Sequence, residues 1–410
     1  MADTFKSERI RNYAKSIFSV GNNGVEESTL ESMTPQSDGV ESLLQTLQSR
    51  AKIEGSKADF DERQIRQTFE NIRTDAELTP DDQQAFEAII YPGKRPVADI
   101  EKGQLGALPE GEFFHLVNDA VFKQRIETAM ASVGCILVPN DPRFAYGGTG
   151  FVVGNGLVMT NRHVARLFAE GVGDKRVSFV RGQTAAFTPG RETENTANDK
   201  SYQVKRVVMI HPYYDMALLE IPDLPLPALT LDPFDPTTKP RMVAVVGYPA
   251  FDPRNSIDVQ KDIFRSRFYV KRMSPGYFYG RRKVTSFESI VNAGRHDSTT
   301  LGGNSGSAVI DVQSGHVLGL HFAGLYLDTN FAVPVLDLST DSRVVDAGVN
   351  FQSSQPSPTN PAAKRWQEID GTEQLVVQPQ SSGGTEIRIT IPIEVTLRVG
   401  QIVTNSSGQG

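Results

Sequence analysis

Three side chains of the kinds used in nucleophilic catalysis follow one another along the chain: His163, Asp215 and Ser305. Ser305 lies in the glycine-rich stretch 302–306, shortly before the apolar run 308–310. Glycines allow backbone conformations that a Cβ forbids, and they let a substrate carbonyl approach closely. This stretch therefore predicts a tight loop that exposes a serine hydroxyl, with backbone N–H groups aimed at a developing oxyanion.

A serine nucleophile needs the other two residue types. An imidazole can take the hydroxyl proton, and a carboxylate can fix the tautomer of that imidazole and stabilise the imidazolium that forms. His163 follows an apolar run, and Asp215 stands just before another. We therefore interpret His163, Asp215 and Ser305 as a candidate catalytic triad, with the backbone N–H groups of Gly303 and Ser305 as the oxyanion hole.

The elements that must position these residues are short β-strands. From about residue 127 onward, short apolar runs alternate with turns that contain Gly and Pro. The predicted strands span 133–138, 150–153, 157–160, 177–181, 204–210, 217–221, 241–247, 268–271, 308–310, 317–321 and 331–333. Residues 154–156, Gly-Asn-Gly between two apolar runs, predict a hairpin. This pattern predicts a mainly β fold, as an antiparallel sandwich or a pair of barrels.

The first part of the chain, residues 1–125, is polar and helical in pattern. The segments 42–52 and 60–75 carry apolar residues at the spacing of one helix face. Thr79 and Pro80 are typical of a helix start. We expect an α-helical N-terminal domain over 1–125, which serves either as a spacer or assembly module or as a regulatory domain that binds a partner.

The β-rich domain is expected to span 126–346, and the rest of the chain changes in composition. A linker rich in Ser, Pro and Gln is expected over 347–384. Alternating Ile and Val residues then predict a β-strand or hairpin over 385–400, followed by a disordered tail over 401–410. Pro392 favours an edge position for that strand, which either docks on the β-rich domain or pairs with another chain.

Composition argues against several classes of function. The 410 residues carry a net charge of −7, which is untypical of a general nucleic-acid binder. No run is apolar enough to span a membrane, and the first residues do not resemble a signal peptide. The single cysteine, Cys135, cannot form an internal disulfide, which is typical of a reducing compartment. We therefore expect a cytoplasmic protein without membrane or nucleic-acid partners, and no pattern predicts a metal site or a cofactor.

The motifs around the candidate triad resemble those of the chymotrypsin-like (trypsin-like) serine peptidases, over residues 127–345. Residues 160–165 (Thr-Asn-Arg-His-Val-Ala) stand at the catalytic-histidine motif of that family, 214–219 (Tyr-Asp-Met-Ala-Leu-Leu) at its aspartate, and 302–307 at its nucleophile. The resemblance implies two antiparallel six-stranded β-barrels with the triad in the cleft between them. It also implies an endopeptidase that acts on protein or peptide substrates through an acyl-enzyme.

A narrower resemblance is to an intracellular bacterial group of trypsin-like peptidases. Residues 247–250, 270–276 and 319–324 are similar to that group. Its members are sometimes joined to an endonuclease-G-like nuclease, and residues 391–395 resemble the segment that leads into such nucleases. We expect no nuclease activity from this chain.

The same resemblance bears on specificity. Trypsin-like relatives have an Asp six residues before the nucleophile, and this chain has Thr299 there, so a preference for Lys or Arg is not expected. Thr300 and His321 match the positions at which staphylococcal-type glutamyl endopeptidases receive the carboxylate of the P1 residue, the one before the cleaved bond. Phe322 to Gly324 would offer a strand edge to the substrate backbone. We expect an S1 pocket from these residues that prefers Glu; a pocket for other side chains is the alternative.

Regulation and competing functions depend on other features. Asn304 replaces the Asp that pairs with a freshly cut N-terminus in vertebrate digestive relatives, so we expect no such switch. The basic stretch 265–283 predicts either a solvated hairpin face or a surface that steers acidic substrates. Two other functions stay open. One is a non-catalytic scaffold that binds partners, and the weaker one is a periplasmic stress protease of the HtrA type, which would need a signal peptide and a PDZ domain.

Overall fold

The computed structural model describes residues 95–371, apart from 142–145, 194, 198, 252–256, 288 and 326–328. The helices predicted before residue 95 and the strand predicted over 385–400 lie outside the described residues and stay predictions.

Strands dominate the described part of the chain, as the pattern after residue 127 predicted, although residues 268–271, predicted as a strand, lie in a loop before the strand that begins at Arg272. They are β1 (Ala98–Glu101), β2 (Gln104–Leu105), β3 (Val133–Leu137), β4 (Gly148–Gly154), β5 (Leu157–Thr160), β6 (Ala169–Glu170), β7 (Ser178–Phe179), β8 (Ala186–Thr188), β9 (Tyr202–Gln203), β10 (Arg206–Ile210), β11 (Ala217–Glu220), β12 (Arg241–Gly247), β13 (Arg272–Ser286), β14 (Ser289–His296), β15 (Ala308–Asp311), β16 (Val317–Leu325) and β17 (Thr329–Pro334).

Short helices connect the strands. They are α1 (His115–Asn118), α2 (Ala120–Met130), α3 (Arg162–Ala165), α4 (Ile257–Phe264), α5 (Val335–Ser339), α6 (Ser342–Asp346) and α7 (Ala363–Gly371). Asp119 caps α2 by accepting the backbone N–H groups of Val121 and Phe122. No helix in the described ranges is long and apolar enough to cross a membrane.

The strands form two large antiparallel sheets. The first sheet has the order β10-β11-β5-β4-β3-β8-β9, and the second has the order β12-β15-β16-β17-β14-β13-β1-β2. A further pairing of β12 with β13 closes six strands of the second sheet into a ring. Strands β6 and β7 form a small separate sheet.

These sheets differ from the expected pair of six-stranded barrels. The first sheet has seven strands, and no ladder among the described residues joins its outer strands β10 and β9. The second sheet extends its six-stranded ring by β1 and β2. Residues of β1 alternate between buried and more exposed positions, with Ala98 and Ile100 buried, as in a strand with one face on the core. This strand pairs with β13, and Ala98 lies opposite Met273.

Residues near the expected domain boundaries also take part in this fold. Residues 98–105 were expected within a helical domain, but they form β1 and β2 of the second sheet. Helix α2 crosses the expected boundary at residue 126. The expected linker contains α7, because Trp366 is buried in the same apolar cluster as Val344 and Met216.

Candidate active site

His163 and Asp215 are brought together by the pairing of two neighbouring strands. His163 lies in α3, directly after β5, and Asp215 lies in the turn between β10 and β11. Strand β11 pairs antiparallel with β5, with Ala217 opposite Thr160. The last residue of β5 therefore lies beside the first residue of β11. The structure therefore places both residues at one end of the first sheet.

Two hydrogen bonds connect these residues. The His163 backbone N–H donates to Asp215 Oδ1 over 3.0 Å, and the His163 Nδ1 lies 2.6 Å from Asp215 Oδ2. An ionised carboxylate can only accept, so Nδ1 carries the proton and Nε2 is the nitrogen that can act as a base. Asn161 Nδ2 donates to the Asp215 carbonyl over 2.8 Å and so holds the backbone of the turn.

The loop that carries Ser305 belongs to the second sheet but is bonded to the first. Thr149 of β4 donates its backbone N–H to the Ser305 carbonyl and its Oγ1 hydroxyl to the Gly303 carbonyl, both over 2.8 Å. The Thr160 hydroxyl donates to the Thr149 carbonyl over 2.6 Å. The Ser305 loop therefore docks on β4 and β5, and β5 leads into the helix of His163.

Glycines make this docking sterically feasible. Gly148 has a φ of +156°, and a Cβ there would lie 2.8 Å from both the Ser305 carbonyl and Val164 Cγ2. Gly303 and Gly306 have φ values of +87° and +90°, and a Cβ on either would collide with backbone oxygens, those of Tyr248 and Thr149 respectively. Gly148 therefore contacts both the backbone of Ser305 and the side chain of Val164, the residue that follows His163.

The amide of Asn304 is used inside its own loop. Asn304 Nδ2 donates to the Leu301 carbonyl over 3.1 Å, and its Oδ1 accepts from the Ser307 hydroxyl over 3.4 Å. The side chain is buried. Its contacts stabilise the loop locally, and no charged partner from the described part of the chain joins them.

The expected S1 residues Thr300 and His321 both lie beside β17, and their side chains are already engaged. His321 Nδ1 lies 3.0 Å from Nε2 of His296, and both imidazoles are buried. The Thr300 hydroxyl donates to Asn330 Oδ1 over 2.6 Å, and Asn330 Nδ2 donates to the Ser298 carbonyl over 2.7 Å. The Thr300 hydroxyl is therefore engaged with Asn330 of β17, and His321 is engaged through Nδ1 with His296.

Burial keeps both imidazoles neutral. It lowers the pKa of His321 to about 3, with a further contribution from the nearby His163. Burial likewise lowers the pKa of His296 well below its usual range, and the neighbouring His321 adds to the effect. At neutral pH this pair offers hydrogen bonds and no positive charge.

The candidate substrate edge lies in β16. Its pairing with β15 ends at Leu320, and its register against β17 shifts between His321 and Ala323. Within the described ranges, no ladder occupies the other edge of residues 322–324. The Phe322 side chain is buried and stacks on Phe331, so this residue and Gly324 could serve a substrate only through their backbone.

Several residues at this site were not anticipated. Asn161 and Arg162 could have been noticed because they flank His163, whereas the sequence carries no signal for Thr149. His296 is brought to His321 because β14 and β16 both pair with β17. That proximity depends on sheet register and cannot be read from spacing.

Ion pairs occupy much of the basic stretch 265–283. The paired side chains are Arg265, Arg267 and Arg272 with Asp99, and Arg281 with Asp337. The Lys271 side chain is buried, with its Nζ donating to the Met130 carbonyl over 2.9 Å. Most of the positive charges in this stretch are therefore paired or buried, which weakens its interpretation as a surface that steers acidic substrates.

No group of His, Cys, Asp and Glu in the described part of the chain is arranged to hold a metal ion.

Known proteins resemble this chain over part of its length. Residues 148–320 match the model of the trypsin-like peptidase domain. A probable serine protease of Lysobacter enzymogenes is 28% identical over 296 residues, which cover 64% of this chain and 75% of that protein.

Among solved structures, the active form of the Rv3671c protease from M. tuberculosis is 21% identical, with a TM-score of 0.37 over 63% of this chain and 99% of that one. The HtrA-type protease AlgW with a decapeptide is 17% identical, with a TM-score of 0.37 over 56% of this chain and 68% of that one.

Proposed function

We propose that this chain, which carries a trypsin-like serine protease domain, hydrolyses protein or peptide substrates with Ser305 as nucleophile, His163 as general base and Asp215 as the residue that orients His163. The observation that carries the proposal is the pair of hydrogen bonds from His163 to Asp215, next to a serine loop that is itself docked on β4.

The reaction follows from the roles of these groups. Ser305 Oγ attacks the substrate carbonyl while His163 Nε2 takes its proton, and Asp215 stabilises the resulting imidazolium. The backbone N–H groups of Gly303 and Ser305 bind the oxyanion of the tetrahedral intermediate. His163 then gives its proton to the leaving amine, and a water molecule activated by the same imidazole hydrolyses the acyl-enzyme.

Labelling with a fluorophosphonate tests this proposal without knowledge of the natural substrate. We expect the wild-type chain to be labelled on Ser305, and Ser305→Ala to abolish labelling and to lower kcat on a cleaved peptide by on the order of 10⁶. Asp215→Asn should slow labelling strongly in a folded protein, because an amide holds the wrong tautomer of His163. A folded wild-type chain that is not labelled would favour the non-catalytic scaffold.

We further propose a preference for Glu at P1, carried mainly by His321. If His296 donates from Nε2, His321 keeps its proton on Nε2 and can donate it to a carboxylate. The opposite arrangement would place an N–H at His296 Nδ1, an atom that has no hydrogen-bond partner among the described residues. Since a buried, unsatisfied donor is costly, the first arrangement is favoured.

A series of peptides that differ only at P1 tests this preference. We expect kcat/KM to be highest for Glu, above Gln, Leu and Arg. His321→Phe should reduce the advantage of Glu over Leu while Ser305 is still labelled. Cleavage after Arg, Leu or Ala but not after Glu would refute the proposed pocket and leave the protease assignment intact.

Regulation and location are also proposed. Residues 1–94, or a partner bound to them, are proposed to restrain the protease, which a comparison of the full chain with one that begins just before Arg95 would test. The shorter chain keeps β1 and β2, which the second sheet requires; equal rates would argue against restraint. We propose a location in the bacterial cytoplasm, because the one cysteine, Cys135, is a buried free cysteine and the sequence offers no internal disulfide; cell fractionation tests this.

A further inference from the structure

A buried group of polar side chains connects the turn of Asp215 to residues beyond the matched peptidase region. The group consists of His211 in that turn, Asp341 before α6, and Trp366 in α7. His211 and Asp341 are 130 residues apart, and Asp341 and Trp366 are 25 apart. Because the family match ends at residue 320, this link is not part of it.

The hydrogen bonds of His211 determine its protonation state. Its Nδ1 accepts the backbone N–H groups of Tyr213 and Tyr214, over 3.1 Å and 2.9 Å. A nitrogen that accepts hydrogen bonds carries no proton, so the proton is on Nε2, which lies 3.1 Å from Asp341 Oδ2. Complete burial lowers the pKa of His211, which agrees with a neutral imidazole.

Asp341 is held by three donors. Its Oδ2 accepts the His211 Nε2–H and the Trp366 indole N–H, the latter over 2.8 Å, and its Oδ1 accepts the backbone N–H of Arg343 over 3.0 Å. Burial alone would raise the pKa of Asp341, but the bonds from His211 and Trp366 and the backbone of Arg343 lower it on balance. The carboxylate is therefore ionised, and it is fixed to α6 by the cap that it makes there.

The other side of the same turn is held from the His163 helix. Arg162 Nη1 donates to the carbonyls of His211 and Pro212 over 3.4 Å and 3.2 Å. The rings of Tyr214 and Trp366 lie against the His211 imidazole, with centroids 5.0 Å and 5.3 Å away. The groups that face His211 are thus Asp341, Arg162, Tyr214 and Trp366.

We propose that His211, Asp341 and Trp366 are positioning residues that hold the Asp215 turn in register with His163, so that residues 341–366 are required for full catalytic activity. His211 binds the N–H groups of the two residues before Asp215, and it is itself anchored to Asp341. Displacement of the turn would move the Asp215 carboxylate away from the 2.6 Å contact with His163 Nδ1. Small displacements of catalytic groups reduce rates by on the order of 10²-fold.

The test uses full-length protein and the rate of Ser305 labelling by a fluorophosphonate as a function of pH; it rests on the proposed serine protease function. The variants are Asp341→Asn, His211→Asn and Trp366→Phe. An Asn at 211 can still accept from the turn N–H groups but does not reach Asp341. We expect Asp341→Asn and His211→Asn to slow labelling at least tenfold, with a lower apparent pKa for His163, and Trp366→Phe to have a smaller effect in the same direction.

The matched control is Asp311→Asn. Asp311 is likewise a buried carboxylate with three donors. It accepts hydrogen bonds from the backbone N–H of Gln313 in a turn, from the Ser314 hydroxyl and from the Arg241 guanidinium. We expect this control to lower the melting temperature without changing the labelling rate or its pKa. The double variant of Asp341 and His211 should label no more slowly than either single variant, because both remove one link.

The outcomes separate the two proposals. A wild-type chain that is not labelled refutes the protease function. A labelled wild type, with Asp341→Asn and His211→Asn folded, less heat-stable and labelled at the wild-type rate with the wild-type pKa, overturns the positioning role. If Asp341→Asn does not fold, His211→Asn and Trp366→Phe decide the question by the same comparison.

Discussion

The hydroxyl of Thr149 ties the first sheet to the proposed oxyanion segment, and its removal should be measurable. It donates to the Gly303 carbonyl over 2.8 Å and accepts the Tyr248 backbone N–H over 3.2 Å, and Thr149 is fully buried. Thr149→Val keeps the shape but strands one acceptor and one donor. Each stranded buried group costs about 1–3 kcal/mol, so we expect the free energy of unfolding to fall by about 2–6 kcal/mol.

The same change should slow catalysis. Without the hydroxyl the Gly303 carbonyl is no longer anchored, so the backbone dihedral angles of Gly303 are less firmly fixed and its N–H no longer points consistently at the oxyanion. Complete loss of one oxyanion donor costs on the order of 10²–10³ in kcat, so a misoriented donor should cost roughly tenfold. Denaturant unfolding measures the stability, and fluorophosphonate labelling of Ser305 measures the reactivity.

Two variants serve as controls for Thr149→Val. Thr149→Ser keeps the hydroxyl and should label at close to the wild-type rate. Thr188→Val removes another buried hydroxyl of the first sheet, which is bonded to Ser201 rather than to the serine loop, and should lower stability alone. If Thr149→Val is less stable but is labelled at the wild-type rate, the idea that this hydroxyl holds the loop is refuted. An unchanged free energy of unfolding would refute the hydrogen bonds themselves.

Three further predictions concern groups outside the triad. Burial lowers the pKa of Lys271 to about 8, so the unfolded chain holds a proton that the folded chain has lost between pH 8 and the usual lysine range; the contribution of Lys271 to the free energy of unfolding should therefore rise with pH across that window, by on the order of 3 kcal/mol, and the difference between the wild type and Lys271→Met in urea unfolding at the two ends of the window measures it, a difference independent of pH being the contrary result. Burial raises the pKa of Cys135 to about 11, so iodoacetamide should modify it only on unfolding and leave the labelling rate of the folded protein unchanged; modification at a rate independent of denaturant would contradict this. Arg95 binds Asp297 over 2.5 Å through its side chain, and its carbonyl accepts the Thr299 hydroxyl over 2.7 Å; Arg95→Ala should loosen Thr299, next to Thr300 of the proposed S1 pocket, and raise KM roughly fivefold with little change in kcat, and an unchanged KM would show that substrate binding does not need this contact.

The sequence alone contained the reactive residue types, their order, and the glycines of the serine loop. These features are local, because a catalytic motif needs particular side chains within a few residues and because a backbone with positive φ favours glycine at positions such as Gly303 and Gly306. The β-rich region was also predictable, since alternation of short apolar runs and turns is a property of the chain itself. The strand β1 was missed, because its four residues lie beside segments with helical character.

Contacts between distant residues were decided by tertiary structure. Thr149 reaches Gly303 across 154 residues, and His211 reaches Asp341 across 130. His296 contacts His321 because β14 and β16 pair with opposite edges of β17 in a particular register. A shift of either strand by one residue would turn its histidine to the opposite face of the sheet. The sequence by itself determined which residues are candidates for the chemistry. Only the packing of one sheet against the other decided which side chains hold those groups in place, because hydrogen-bond partners that far apart are selected by register and burial and not by spacing along the chain.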